Sequence, residues 1–331
     1  MCSVRSDSQA KATGRRGDGA TGRLGFGRRE FLLGAAALTA CARPPAREAT
    51  VTIARAPGYT QDLYDTVRRV LTEQRLAVRG RRVVLKPNLV EFEPGSVINT
   101  HPLVVHAALG AFRALGAADV RIAEGPGHRR NTLDLAEAAG YFQTIPGFED
   151  LFTDLNLDEV SRVQLSRPSS HLNTLYLPRT ALASDLLVSL PKMKTHHWAG
   201  ATLSMKNLFG LVPGGVYGWP KNVLHWAGIH ESIADLYRTF PRQFALVDGI
   251  VGMEGNGPIQ GTAKAAGVLV AGRDLAAVDA TCCRIMSIDP AKISYLQLAG
   301  VPERIVQAGE RIDSVRNPFR LLPEFQSFRA V

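Results

Sequence analysis

From residue 50 onward, short uninterrupted apolar runs alternate with amphipathic segments, and this pattern limits the possible folds more than any other feature of the chain. The runs occupy residues 51–54, 82–85, 119–123, 185–190, 244–248 and 267–271. Continuous hydrophobicity of this kind suits strands covered on both faces. The expected class is α/β, a mostly parallel sheet with helices on both faces. Residues 160–165 and 174–177 alternate instead, which predicts a small antiparallel edge or insert.

The segments between the runs carry helix signals. Pro102 suits a first helical turn, and Val104, Ala107, Ala108, Ala111, Phe112 and Leu115 follow at helical spacing. Asp274 is placed to cap a helix over 275–286, and Asp289-Pro290 to start another. A further helix is expected over 222–240. The α/β body is expected over 50–312, with a C-terminal tail over 313–331.

The N-terminus reads as an address. Gly22-Arg-Leu-Gly25-Phe-Gly27 has no strand before it, so it does not fit a dinucleotide site. Arg28-Arg29-Glu30-Phe31-Leu32-Leu33 leads into an uncharged run to Ala40, too short to span a bilayer. Residues 1–40 thus resemble a twin-arginine signal peptide, which implies passage through the twin-arginine export machinery. Leu38-Thr39-Ala40-Cys41 resembles a lipobox, which makes Cys41 the expected lipidation site and residues 41–49 a tether. Ordinary signal-peptidase cleavage is the alternative. The expected location is the periplasmic or cell-surface side of a membrane, held there through Cys41.

Charge and cysteine content exclude several classes. The 39 basic and 30 acidic residues give +9, and the first 40 residues supply +4 of it with 7 basic and 3 acidic side chains. The remaining +5 is small for so long a body, and its basic residues do not cluster with aromatics, so no nucleic-acid partner is expected. Outside the leader and Cys41 only Cys282 and Cys283 remain, adjacent in a helix and too few for a cluster; both read as small core residues.

In an open α/β sheet, ligands bind beyond the carboxyl ends of the strands. The residues that follow the apolar runs here are unusually polar: Lys86-Pro87-Asn88, Glu124-Gly125, Pro191-Lys192-Met193-Lys194-Thr195-His196-His197, and Asp248 followed by Met253-Glu254-Gly255-Asn256. Lysines in a partly desolvated crevice suit a carboxylate or phosphate, while imidazoles and carboxylates suit proton transfer or a divalent cation. The alternatives are a strand-end turn for Lys86 and Asn88, a solvated loop for Lys192 and Lys194, and a snorkelling Lys206. His225 reads better as a surface or core residue than as a ligand contact. Trp198, Trp219 and Trp226 read equally as a lid or as core.

Lys86-Pro-Asn-Leu89, Leu190-Pro-Lys-Met-Lys-Thr-His196, Met205-Lys-Asn-Leu-Phe-Gly210 and Asp248-Gly-Ile-Val-Gly-Met-Glu-Gly-Asn-Gly-Pro258 together resemble the domain of unknown function 362 family, over about residues 50–300. The resemblance implies that the motif positions form one shared site. It brings no secure reaction. Some members carry a ferredoxin-like iron–sulfur segment, but this chain lacks four closely spaced cysteines and no such cluster is expected. The functional expectation is an enzyme acting on a small anionic substrate, with a divalent metal as the only cofactor considered. His196, Lys192 and Lys86 are its expected catalytic residues. Asn88, Lys194, Lys206, Asn207 and Asn256 are expected to bind substrate, and Asp248, Glu254 and Glu124 to hold a metal. The competing reading is a non-catalytic envelope protein that captures an anionic metabolite or metal complex.

Overall fold

The computed structural model describes residues 46–330. The expected signal peptide and Cys41 lie outside the described residues. The tether expected to reach residue 49 gives way earlier to sheet, since the first strand begins at Glu48. The strands are β1 (Glu48–Arg55), β2 (Arg82–Pro87), β3 (Asp119–Glu124), β4 (Phe152–Asp154), β5 (Val160–Gln164), β6 (Thr174–Pro178), β7 (Leu186–Leu190), β8 (Lys192–His196), β9 (Gly200–Thr202), β10 (Gln243–Glu254), β11 (Thr262–Gly272) and β12 (Arg304–Gly309).

The main sheet runs β12-β1-β11-β10-β7-β2-β3-β4, with β8 pairing β10 and carrying β9 at its side. From β10 to β4 every neighbouring pair is parallel, whereas β11 runs antiparallel to both β1 and β10. The α/β class expected from the apolar runs is the class found. β5 and β6 form a separate antiparallel pair, Val160 opposite Pro178 and Gln164 opposite Thr174.

Both faces of the sheet are covered. Along β10, Phe244 and Leu246 enter one core layer, Ala245 and Val247 the other. The first layer is closed by helices Leu63–Glu73 and Pro102–Ala114, which bury Val67, Val70, Leu71, Val104, Val105 and Phe112. Each such side chain contributes about 1.5–3 kcal/mol when fully buried. Helices Ile229–Thr239 and Leu275–Ile285 close the second layer. Asp274 caps its helix as expected, accepting from Ala277 N–H, and His101 Nδ1 caps the helix that Pro102 starts, accepting from Leu103 N–H.

Two local expectations change. The single helix expected over 222–240 is two, Asn222–Trp226 and Ile229–Thr239, interrupted at Gly228 with φ 104°. The stretch after Pro191 is a strand rather than a loop, and its alternation is visible in Lys-Met-Lys-Thr-His. In the C-terminal segment Phe319 is fully buried, and Ile288 bridges Arg329.

Asp279, wholly buried in helix Leu275–Ile285, fixes the turn Ser204–Asn207. Its carboxylate accepts from Ser204 N–H at 2.8 Å, from Ser204 Oγ at 2.5 Å and from Met205 N–H at 3.0 Å. Burial nonetheless pushes its pKa up to about 7, the three hydrogen bonds opposing the shift. Asp279→Ala would strand these donors in the core and is expected to cost about 3 kcal/mol or more in urea denaturation. A folded-state pKa above the unfolded one also makes this carboxyl reduce stability as pH rises from about 4 to 7. That slope should be missing from the melting profile of Asp279→Asn.

Candidate functional site

Strand order reverses at β2: β3 and β4 lie on one side of it, β7 and β10 on the other. Beyond the carboxyl ends of these strands is a cavity of about 430 Å³. Lys86 from β2, Glu124 from β3, and Lys194 and His196 from β8 form its floor and one wall. The turn bearing Lys206 and Asn207 forms another wall, and helix Asn222–Trp226 with the preceding Lys221 closes the side. Asn256 and Gln260 stand at the rim and bond to each other at 3.0 Å.

The cations of this region differ in how much of their hydrogen-bonding capacity the protein uses. An ammonium has three protons to give. Lys86 Nζ gives all of its own, to Glu124 Oε2 at 2.6 Å, Pro87 O at 3.1 Å and Asn207 Oδ1 at 3.3 Å. Lys194 gives two, to Ile98 O and Pro258 O, and Lys221 two, to Gly125 O and Phe209 O. Lys206 makes no hydrogen bond to the described residues. Its ammonium lies 3.7 Å over the Phe209 ring, and its side chain opens partly to the cavity. Lys194, Lys206 and Lys221 form no ion pair with any carboxylate among the described residues.

Several roles expected from the motifs therefore move. Lys86 lines the cavity, but as the closed partner of Glu124 rather than as a free cation. Asn207 also lines it, yet its amide is spent on Lys86 and on Ser189 Oγ, so it positions the turn. Lys192 and Asp248 do not line the cavity: they form a buried pair at 2.6 Å, sealed by Tyr59 and the His101 N–H. Tyr59 stacks on the His101 ring at 3.7 Å and closes that pair from solvent. Glu254 turns outward to accept from Arg320 N–H, with Lys264 at 3.9 Å. The three carboxylates expected to share a metal thus sit in three separate ion pairs. Among the described residues no group of three or more His, Cys, Asp or Glu side chains is arranged to hold one.

His197 and His225 complete the walls, although His225 reads from the sequence as a surface or core residue. His197 Nδ1 lies 2.8 Å from Gly257 O and His225 Nδ1 lies 3.1 Å from Lys221 O. A carbonyl only accepts, so each Nδ1 carries a proton; burial and the nearby Lys206 hold His225 below the ordinary imidazole range, which leaves a lone pair on its Nε2. His196 is the reverse. Its Nδ1 accepts from Trp198 N–H at 3.0 Å and Ala199 N–H at 3.1 Å, which leaves the proton on Nε2. Burial and the nearby Lys206 hold His196 well below the ordinary imidazole range, so it is a neutral donor near pH 7. Trp198 is half exposed and stacks on His225 at 5.1 Å, giving the mouth an apolar edge.

Two buried polar atoms in the walls have no hydrogen-bond partner among the described residues: Asn88 Oδ1 and Thr202 Oγ1. Burial and the adjacent Lys86 ammonium push Lys206 down to about 7; Lys221 also reaches about 7, chiefly through burial. Burial and Lys192 lower Lys194 well below the usual lysine value. Gly210 is tied to this arrangement, since a Cβ there would overlap both Glu124 Oε1 and Lys86 Nζ.

A parallel-sheet α/β body with a lysine-rich cavity at its switch point describes the class. Residues 83–284 match the model of domain of unknown function 362 (DUF362), and the chain belongs to that family. A thylakoid-associated protein of Synechocystis is 30% identical over 220 residues, a match covering 65% of this chain and 65% of that relative's length. The lactate racemase apoprotein from Thermoanaerobacterium thermosaccharolyticum superposes with a TM-score of 0.46 at 15% identity, covering 72% of this chain and 57% of the racemase.

The sealed pair makes a distinct forecast for Lys192. Lys192→Ala removes the counter-charge of a fully buried Asp248 and is expected to lower unfolding free energy by about 3–5 kcal/mol in chemical denaturation. A melting transition indistinguishable from that of the parent protein would contradict the structural role given to this pair.

Proposed function

We propose that this chain is an exported, lipid-anchored enzyme whose cavity binds a small anionic substrate and moves a proton on it. The observation that carries this reading is three lysines around one cavity with no carboxylate paired to them among the described residues. Lys194 and Lys221 line the cavity but are almost wholly buried, with protons given to backbone carbonyls, and they add positive potential when charged. Lys206 opens to the cavity and would meet the anion directly. His196 offers an N–H of fixed tautomer, while His225 offers a lone pair at Nε2, so a donor and an acceptor of protons border the same space. The side chains of Asn88 and Thr202 give the ligand further polar partners. Export through the twin-arginine route and attachment at Cys41 rest on the N-terminal sequence. No helix among the described residues is long and apolar enough to cross a membrane, so the tether would be the means of attachment. A relative whose name associates it with thylakoids is in keeping with a place at a membrane.

Lysines discharged by burial are recharged by an incoming anion, so binding should take up protons. Titration calorimetry of the mature protein with pyruvate or inorganic phosphate at pH 8, in buffers of different ionisation enthalpy, should register that uptake. Affinity should fall as pH rises through about 7, because Lys206 and Lys221 are then neutral in the empty cavity. Lys206→Met should weaken binding by at least about tenfold, the scale of one lost charge-assisted hydrogen bond. Absence of anion binding at any pH between 6 and 8 would remove the reading. Binding without conversion of any carboxylate or phosphate ester tested would favour a capture protein over an enzyme.

A further inference from the structure

We propose that Lys206 is a nucleophile that condenses with the carbonyl carbon of an anionic keto or aldehyde compound bound in the cavity. The inference rests on the anion-binding reading above and assigns that site a substrate class, a small carboxylate or phosphate ester carrying a carbonyl group.

Lys86 has three protein acceptors, and Lys194 and Lys221 have two each. Lys206 has the face of Phe209 and no lone pair to bind, so no hydrogen bond must break before its nitrogen can attack. It also has no carboxylate partner to hold it charged, and it alone of the four is partly open to the cavity. The titratable groups that line the cavity with it are Lys86 on β2, Glu124 on β3, His128 in the loop after β3, Lys194 and His196 on β8, His197 just after β8, and Lys221 and His225 at the helix wall. Among these only Glu124 is acidic, and Glu124 is engaged by Lys86. Desolvation and neighbouring cations are the two conditions that turn a lysine into a nucleophile near neutral pH. A pKa of about 7 is their consequence here.

The position of the amine is fixed from below. Asp279 holds the N–H groups of Ser204 and Met205, and the Asn207 amide ties the turn to Lys86 O and Ser189 Oγ. In the proposed step the neutral Nζ bonds to the carbonyl carbon and the carbonyl oxygen becomes a hydroxyl. Loss of that hydroxyl as water, with loss of the nitrogen's protons, leaves a C=N bond, so one water is released for each imine. The Nε2–H of His196 is available to the departing oxygen. The unpartnered Asn88 Oδ1 and Thr202 Oγ1 are available to the intermediate hydroxyl. No oxidant or reductant is required.

The test uses the mature full-length protein with pyruvate as probe and sodium cyanoborohydride as trap, followed by intact mass measurement and peptide mapping. The expected result is one reduced pyruvate adduct, located on Lys206. Lys206→Arg keeps a cation at this position but no primary amine, and should lose the adduct. The melting temperature of this variant shows whether it is folded; should it fail to fold, competition of labelling by inorganic phosphate in the parent protein supplies the test. Phosphate-protected labelling at Lys206 supports the proposal. Labelling spread over surface lysines, or none at Lys206 while pyruvate still binds, overturns it and leaves the anion-binding reading standing. Failure of pyruvate and phosphate to bind at all overturns both.

Discussion

Burying lysines at the carboxyl ends of a sheet without enough carboxylates to neutralise them is the constraint around which this molecule is arranged. Lys86, Lys192, Lys194 and Lys221 are each at most 2% exposed, and a fifth lysine, Lys206, borders the same space. Glu124 and Asp248 are the buried carboxylates that pair with them. An ammonium taken from water without an anion is strongly disfavoured, so the unpaired ones must be solvated by carbonyls, discharged, or supplied with an anion from outside. Lys194 and Lys221 take the first course through backbone carbonyls, and the lowered pKa values show the second in progress. The third course is the one a ligand would complete.

The two ion pairs divide the strand ends into a closed part and an open part. Lys192 and Asp248 are joined by Tyr59, capped by the His101 N–H and shut off by ring stacking, which leaves no room for a ligand. Two residues farther along β8, Lys194 borders the cavity, and two farther still His196 does. The same alternation that puts Met193 into the core thus carries the chain from a structural pair to a chemical wall. Asp279 does comparable work from another element, because it fixes a short turn that could not hold its shape alone.

The sequence made the sheet legible because continuous apolar runs have few other homes, and the polar residues after each run marked the right end of it. What it concealed was pairing. Nothing local in Lys86-Pro-Asn tells that Lys86 meets Glu124, 38 residues away, or that Asn207 will consume its third proton. Lys192 and Lys194 look alike in Lys-Met-Lys, yet one faces a carboxylate and the other only carbonyls. Glu254 ends a strand as Glu124 does, but its partner is the Arg320 backbone, in a segment with little periodicity. Counting charges locates a site; assigning roles within it needs the partner of each proton. Alternation in Lys-Met-Lys-Thr-His was a readable strand signal, whereas Lys221 sits in no motif at all.

Lys221 shows how a residue without a motif can hold such a site together. Its backbone has φ 67°, a left-handed conformation that costs a side-chain-bearing residue about 1–2 kcal/mol. Strain of that kind persists only where surrounding contacts outweigh it. Here they are the bonds from its ammonium to Gly125 O, just after β3, and to Phe209 O, beside the ring under Lys206. One buried side chain therefore clasps the loop after β3 to the wall that carries Lys206, and its backbone carbonyl orients His225. A neutral isostere could fill the same volume but would leave both carbonyls without donors. The amine is thus retained for architecture as well as for potential, since even uncharged it has two protons for these two carbonyls.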